Sequence, residues 1–308
     1  MKKPRIGLAL GSGSARGWAH IGVIRALEER GIKPDLVAGC SIGALVGAAY
    51  CGGQLDTLEK WVRKLSFWDV VRLMDVRMSG GLIEGENLMT SFADKLSDKD
   101  IEDLTISYAA VATDLANGRE VWLQTGPLRT AVRSSIALPG LFTPVQIDGR
   151  WLVDGGLTNP VPVSLCRAMG ADLIIAVNLN SDIVGRHLKT HVQKEPVAEN
   201  ERDLFSQLLK KLNNEVLESR LAAWGKKKKS SLPIPGLFEV MASSINIMQD
   251  RITKSRMAGD PPDVLISPSL AQLGLLEFDR ASEAIDEGYE SVQRMESALL
   301  HAMKRAQR

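Results

Sequence analysis

A pentapeptide with a serine between two glycines is the strongest candidate for chemistry in this chain. Gly39-Cys40-Ser41-Ile42-Gly43 has the form G-x-S-x-G, which holds a nucleophilic serine on a sharp turn between a strand and a helix. The strand-like run 35–38 precedes it, and a run of small residues, 44–50, follows it. Gly39 and Gly43 let the backbone bend sharply and pack closely. A glycine-rich turn with an incidental serine has the same form, so the surroundings must decide between these interpretations.

Ser41 needs a base, because a serine hydroxyl is a poor nucleophile until its proton is taken. The four histidines are His20, His187, His191 and His301. None of them lies in a glycine or turn pattern that would fix it beside a serine. We expect the base to be Asp154, which ends a predicted strand and is followed by Gly155 and Gly156. Partial burial would raise the pKa of this carboxyl above about 3.9. The simpler alternative is that Asp154 caps a turn or the following helix.

A glycine-rich loop after the first predicted strand supplies candidate donors for an oxyanion hole. Backbone N–H groups that converge beside a helix N-terminus stabilise an oxyanion. We assign to this loop Gly11, Ser12, Gly13, Ser14, Arg16 and Gly17. A dinucleotide-binding G-x-G-x-x-G loop is the alternative. It fits poorly, because Arg16 stands at the third glycine position and the serine turn replaces the acidic residue expected after the second strand.

Strands and helices alternate in the part of the chain that must position these residues. The first 43 residues predict a strand, a glycine loop, a helix and a second strand that ends at Ser41, an order that favours a parallel sheet. Asn117-Gly118 predicts a hairpin between strands at 107–114 and 119–125. Helices are predicted at 18–30, 55–65, 85–96, 127–136, 159–169, 203–224, 237–257 and 278–305, and the stretch 67–78 is rich in bulky apolar residues.

Several large apolar residues could form either the core or an apolar substrate channel. Trp61, Leu65 and Trp68 are spaced as i, i+4 and i+7, which predicts one face of a helix. Trp18 and Phe142 are further candidates for a channel. The spacing alone leaves both interpretations open.

The composition is ordinary for a soluble globular protein, with 24% charged and 44% hydrophobic residues. A net charge of +1 gives no argument for a nucleic-acid partner. Three scattered cysteines predict neither a disulfide framework nor a metal cluster and favour a cytoplasmic location. No stretch approaches the roughly 18 apolar residues of a spanning helix, so any membrane contact would be peripheral. The run Lys226–Lys229 fits a solvated helix end or contact with anionic lipid head groups.

The glycine loop, the serine turn and the Asp-Gly-Gly motif together resemble the patatin-like phospholipases. The shared motifs are Gly-Ser-Gly-x-Ala-Arg-Gly-Trp-x-His-Ile-Gly-Val-Ile at 11–24, Gly-Cys-Ser-Ile-Gly at 39–43, Leu-Pro-Gly-Leu-Phe-x-Pro-Val at 138–145 and Leu-Val-Asp-Gly-Gly-x-x-Asn-Pro-Val-Pro at 152–162. The chain is most similar to the bacterial branch related to neuropathy target esterase. Motif coverage runs from about residue 5 to 180, and the rest fits that branch in general layout only.

This resemblance implies a three-layer α/β/α fold with a mainly parallel sheet, and hydrolysis of lipid esters of the phospholipase A or lysophospholipase type. It implies Ser41 as the nucleophile of a Ser–Asp dyad and Asp154 as the proton acceptor, with no metal or other cofactor. The amides around Gly13 and Ser14 would form the oxyanion hole, braced by Arg16. Plant patatin-type loops have consecutive glycines where this chain has Ser12-Gly13-Ser14. The two serines narrow the backbone dihedral angles that the loop can adopt, but they keep its N–H donors.

We therefore expect a patatin-like catalytic core at residues 1–180. Residues 181–308 are expected to form a mainly helical region with one short strand, at about 263–267, that packs on the core. The expected partner is a lipid or lysophospholipid substrate, with peripheral membrane contact at the inner face of the membrane left open. The alternative function is a catalytically weak, lipid-binding regulatory protein on the same fold.

Overall fold

The structure is a computed structural model that describes residues 3–73, 90–92, 94–182 and 237–307. An eight-stranded sheet runs through these residues. Its strands are β1 (Ile6–Leu10), β2 (Leu36–Cys40), β3 (Ser107–Asp114), β4 (Glu120–Leu123), β5 (Val145–Ile147), β6 (Arg150–Asp154), β7 (Leu173–Val177) and β8 (Val264–Ile266). The pairs β3–β2, β2–β1, β1–β7 and β7–β8 are parallel, whereas β3–β4, β3–β6 and β5–β6 are antiparallel. The predicted, mainly parallel sheet is confirmed.

Helices lie on both faces of this sheet. They are α1 (Ala19–Glu29), α2 (Ile42–Cys51), α3 (Leu55–Val62), α4 (Phe67–Leu73), α5 (Leu128–Ser135), α6 (Val163–Ala168), α7 (Leu237–Gly259), α8 (Ala281–Arg294) and α9 (Glu296–Ala306). Successive residues of β1 and β7 point to opposite faces. Leu8 and Ile175 enter the larger apolar cluster, with α1, α2 and α8, whereas Ala9 and Ile174 enter a smaller one with α6. The three-layer α/β/α prediction is confirmed.

The pairing along β3 brings two strand ends together. Residues 110 and 111 pair with both β2 and β4, and residues 112 and 113 pair with both β6 and β4. A strand has only two edges, so β2 and β6 lie on the same side of β3, one after the other. They run in opposite directions, because β2 is parallel to β3 and β6 is antiparallel to it. The carboxyl end of β2 therefore faces the carboxyl end of β6.

Part of the chain after residue 180 completes the same sheet and core. β8 pairs in parallel with β7, and α8 packs on α1 so closely that a Cβ on Gly288 would lie 2.0 Å from the Ala19 carbonyl oxygen. The larger apolar cluster accordingly contains residues from both sides of residue 180, including Ile285 and Leu8. The described residues thus share one sheet and its two flanking cores.

The prediction of one helix over residues 278–305 is wrong. The chain forms a short 3-10 turn at Phe278–Arg280 and then two helices, α8 and α9. Met295 separates them, with φ −102° and ψ 8°. The physical reason is tertiary packing, since α8 packs on α1 whereas α9 packs on β7 and β8. The chain must turn between these two surfaces, although the apolar periodicity continues through the turn.

The prediction that Trp61, Leu65 and Trp68 share one helical face is also wrong, because α3 and α4 are separate helices. Trp61 packs edge-on against Phe92, with ring centroids 5.7 Å apart. Leu65 is buried, whereas Trp68 is 45% exposed. Trp61 and Leu65 are therefore part of the core packing, and Trp68 is not.

Other predictions fall partly or wholly outside the described residues. These are the end of the apolar-rich stretch at 67–78, most of the predicted helix at 85–96, the predicted helix at 203–224, His187, His191 and the Lys226–Lys229 run.

Candidate active site

Ser41 sits on a strained turn between β2 and α2. Its backbone angles are φ 56° and ψ −124°, a conformation that residues other than glycine seldom adopt and that costs free energy. Close packing around the turn requires the two glycines. A Cβ on Gly43 would lie 2.2 Å from the Leu10 carbonyl oxygen, and one on Gly39 would lie 2.4 Å from the Ala44 Cα. The turn is therefore held in place by the backbone of β1 and α2.

The Ser41 hydroxyl donates a hydrogen bond to Asp154, with 2.6 Å between Oγ and Oδ2. The strand register explains this contact. Cys40, the last residue of β2, pairs with Val111, and Asp154, the last residue of β6, pairs with Ala112. The serine that follows β2 thus meets the carboxylate that ends β6, although 113 positions separate them in the chain.

Asp154 is buried, and this burial determines its chemistry. The side chain is 1% exposed. Burial raises the pKa of this carboxyl from its ordinary value to about 6, against the opposing effect of hydrogen bonds from the Ser41 hydroxyl and the Gly156 amide. The Gly156 N–H donates to Oδ1 over 2.7 Å. A Cβ on Gly155 would lie 2.2 Å from the Val111 carbonyl oxygen, so the glycines after Asp154 let the chain turn tightly against β3.

Ser135 also contacts the serine turn, and it is not among the site residues predicted from the sequence. The Ser41 amide donates to Ser135 Oγ over 2.9 Å, and that hydroxyl donates to the Val111 carbonyl oxygen over 2.6 Å. Ser135 thereby ties the turn to β3. It stands next to another serine, Ser134, at the end of α5, and no pattern in the sequence distinguishes the two.

Two amides of the glycine-rich loop are already used by backbone contacts. The Gly11 N–H donates to the Val177 carbonyl oxygen over 3.1 Å, and the Ser12 N–H donates to that of Pro160 over 2.8 Å. These bonds fix the start of the loop to β7 and to the segment after Asp154. They also remove both amides from the set of candidate oxyanion donors.

The next two amides of the loop, those of Gly13 and Ser14, donate to no acceptor among the described residues. Both residues line the same cavity as Ser41 and Asp154. Ser14 has φ 49°, in the left-handed region that costs a serine more than a glycine. Of the loop residues predicted from the sequence, these two retain N–H groups that an oxyanion could use.

Arg16 braces this loop from within the protein. It is 1% exposed, and its Nε donates to the Gly13 carbonyl oxygen over 3.2 Å. One of its terminal nitrogens donates to Asn246 Oδ1 over 3.3 Å. Burial lowers the pKa of Arg16 to about 10, partly offset by the charge of Asp182, so the guanidinium stays charged at neutral pH.

Gly17 and His20 hold the other side of the loop. A Cβ on Gly17 would lie 2.1 Å from the Ile42 side chain, which shows how closely the loop presses on the start of α2. His20 Nε2 donates to the Gly11 carbonyl oxygen over 2.7 Å. Burial lowers the pKa of His20 to about 4, against the effect of that bond. His20 is therefore neutral and engaged with the loop, and His301 is exposed on α9.

Two small cavities adjoin Ser41. One has room for about one water molecule, about 10 Å³. Its walls include Ile245, Asn246 and Gln249 of α7. The second, about 20 Å³, is mostly apolar and is lined by Ser14, Ser41, Ile42, Phe92, Ile136, Leu138, Phe142 and Phe278. Trp18 is fully buried behind it and packs edge-on against Phe92 and Phe278.

No group of three His, Cys, Asp or Glu side chains among the described residues is arranged to hold a metal ion. No helix in that part of the chain combines the length and apolar character needed to cross a membrane. Cys40, Cys51 and Cys166 are buried, unpaired thiols.

Comparison with known proteins identifies the family. Residues 8–167 match the family model for patatin-like phospholipases. An uncharacterized NTE family protein of Mycobacterium tuberculosis is 38% identical over 92% of this chain and 89% of its own length. The neuropathy target esterase sws of Drosophila melanogaster is 37% identical, and human patatin-like phospholipase domain-containing protein 6 is 36% identical. These two matches cover 57% of this chain but only 13% of each longer protein. With a matching family model over half of its length and a relative matched almost end to end, this chain belongs to the patatin-like phospholipase family.

Proposed function

We propose that this protein hydrolyses carboxylic esters of lipids through an acyl-serine intermediate, with Ser41 as the nucleophile and Asp154 as its base. Family membership supports lipid ester hydrolysis in general. The observation that carries the residue assignment is the 2.6 Å hydrogen bond between the buried Ser41 hydroxyl and Asp154. We further propose a cytoplasmic location and a phospholipid or lysophospholipid substrate.

Acylation begins when Ser41 Oγ attacks the acyl carbon and Asp154 accepts the hydroxyl proton. The carbonyl oxygen of the substrate becomes an oxyanion, which the amides of Gly13 and Ser14 stabilise by hydrogen bonding. The C–O bond to the leaving group then breaks, and protonated Asp154 returns the proton to the departing alcohol. The acyl group is left on Ser41.

Deacylation repeats these steps with water as the nucleophile. Asp154 takes a proton from the water, the same amides stabilise the second oxyanion, and the fatty acid leaves as Ser41 recovers its proton. A base is most effective when its pKa lies near the working pH. Burial brings the pKa of Asp154 to about 6, so the carboxyl can serve without a histidine.

The apolar cavity beside Ser41 supports a substrate with an acyl chain. Phe92, Ile136, Phe142 and Phe278 line it and offer no charged group. Its volume of about 20 Å³ is far smaller than an acyl chain, so its walls must move apart before a lipid can enter. The proposed acyl site is therefore this cavity in a wider form.

Replacing either member of the dyad tests the proposed function. We expect Ser41→Ala and Asp154→Asn to lower kcat/KM by about a thousandfold or more, as loss of a nucleophile or its base does in other serine hydrolases. The assay is release of fatty acid from phosphatidylcholine and lysophosphatidylcholine, together with hydrolysis of p-nitrophenyl butyrate. Ser134→Ala is the matched control, since among the described residues that hydroxyl bonds only to the Thr130 carbonyl oxygen within its own helix.

Wild-type activity that persists in both dyad variants would contradict the assignment. A wild-type protein that is inert on every ester but keeps a bound lipid through purification would favour the lipid-binding alternative.

The pH dependence tests the role of Asp154 separately. The carboxyl must be deprotonated to accept the Ser41 proton, and burial raises its pKa to about 6. We expect kcat/KM for the soluble ester to rise about tenfold per pH unit below pH 6 and to level off above it. His20, with a pKa lowered to about 4, is mostly neutral near pH 6, where Asp154 titrates. An acid limb centred near pH 4 would contradict the raised pKa of Asp154.

Ser135→Ala tests how far the turn depends on its support. The change frees the Ser41 amide and the Val111 carbonyl oxygen, so the nucleophile loses its fixed orientation. We expect kcat for the soluble ester to fall roughly tenfold to a hundredfold, with KM little changed, because small misplacements of reacting groups are costly. Ser134→Ala, one residue away, should match the wild type. An unchanged kcat in Ser135→Ala would show that the turn keeps its shape without this hydroxyl.

A further inference from the structure

Helix α7 has its polar side buried and its apolar side exposed. Asn246, Gln249, Asp250 and Thr253 are each at most 7% exposed. On the opposite side, Val240, Met241, Ile247 and Met248 are between 41% and 48% exposed. A helix on a soluble protein normally places its apolar side on the core. We call the exposed side, comprising Val240, Met241, Ile247 and Met248, the outer face of α7.

The buried side of α7 covers the candidate active site through polar contacts. Gln249 Oε1 accepts hydrogen bonds from Ser12 Oγ over 3.0 Å and from Asn180 Nδ2 over 3.1 Å. Asn246 Oδ1 accepts from Arg16. Water can replace hydrogen bonds of this kind at a small net cost, whereas separating an apolar seal would expose apolar surface to water. These side-chain contacts of Asn246 and Gln249 with the site are thus of a kind that water can replace.

The site cannot receive an ester while α7 lies where it does. Ser41 is 7% exposed, and the cavity between Ser41 and α7 has a volume of about 10 Å³. α7 also lies outside residues 8–167, which match the family model. It is therefore a wall added to the catalytic core by the later part of this chain.

The side of α7 that carries the outer face becomes cationic toward the end of the helix. Arg251 follows Ile247 by four residues and Met248 by three, so it lies on the same side. It is exposed, and within the described ranges it forms no ion pair. The Lys254 side chain is 63% exposed and pairs with Asp250. Apolar side chains beside exposed basic ones are typical of helices that lie in the interface of an anionic lipid surface.

We propose that the outer face of α7 docks on an anionic phospholipid surface, and that docking draws α7 away from Ser41 and opens the site. The inference rests on the proposed function, because the substrates of that function lie in such a surface. Apolar side chains that are costly to expose in water enter the lipid interface, while water replaces the polar contacts released inside. The closed site is then the resting form in water.

Vesicle binding by the full chain tests the docking surface. The vesicles contain equal amounts of ether-linked phosphatidylcholine and phosphatidylglycerol, which have no ester to hydrolyse at the acyl positions. We expect the double variant Ile247→Gln/Met248→Gln to bind them roughly tenfold or more weakly than the wild type. Leu300→Gln is the matched control, because Leu300 is 53% exposed on α9, away from this face. Arg251→Gln should weaken binding to these vesicles but not to pure phosphatidylcholine.

The opening step has its own measurement. We expect the same ether-lipid vesicles to speed hydrolysis of p-nitrophenyl butyrate several-fold by the wild type and the Leu300→Gln control, but not by the double variant. Circular dichroism melting curves verify that each variant is folded. Equal vesicle binding by the double variant and the wild type would overturn the docking surface. Binding without any acceleration would overturn the opening step.

Two further results separate this inference from the proposed function and from self-association. Ser41→Ala should bind the vesicles as the wild type does, because docking needs no chemistry. If the wild type binds vesicles but hydrolyses no ester, the proposed function fails and the docking surface stands. If light scattering shows that the double variant converts a wild-type dimer to a monomer, a second copy of the chain covers this face, and the lipid proposal is overturned.

Discussion

The hydrogen bond between Ser41 and Asp154 depends on two strands that end against each other on one side of β3. Neither residue could reach the other if β6 were displaced by one position along β3, because the side chain of Asp154 would then point to the opposite face of the sheet. The same arrangement buries the carboxyl. Its pKa is raised from 3.8 to about 6, so the folded protein is favoured when Asp154 is protonated. That contribution is lost as the pH rises from about 4 to above 6, at a cost on the order of 3 kcal/mol.

The sequence predicts the parts of the site that depend on neighbouring residues in the chain. It does not predict the parts that depend on how distant strands and helices pack together. The turn at Ser41 and the glycines after Asp154 carry their own signals, because tight turns and close backbone approaches require particular residues. Parallel strands were also predictable, since a strand, a loop, a helix and a second strand follow one another in the first 43 residues. Ser135 had no such signal. Its role arises only because α5 ends beside Val111, a consequence of tertiary packing.

The same limit applies to the later helices. The sequence predicts a helix at 237–257 but not that Ile247 and Met248 are exposed while the polar side of α7 is buried. A sequence pattern identifies two sides of a helix but not which one the rest of the protein covers. Met295 gives a second example, because the turn between α8 and α9 is imposed by the different surfaces on which they pack.

The most direct measurement of the central claim is covalent labelling with a fluorophosphonate, followed by mass spectrometry of the labelled peptide. Such probes react with a serine whose hydroxyl has been activated by a base. We predict one adduct, on Ser41, which forms in the wild type and at a rate at least about a hundredfold lower in Asp154→Asn. An adduct on another serine, or equally fast labelling of Ser41 without the Asp154 carboxylate, would contradict the account.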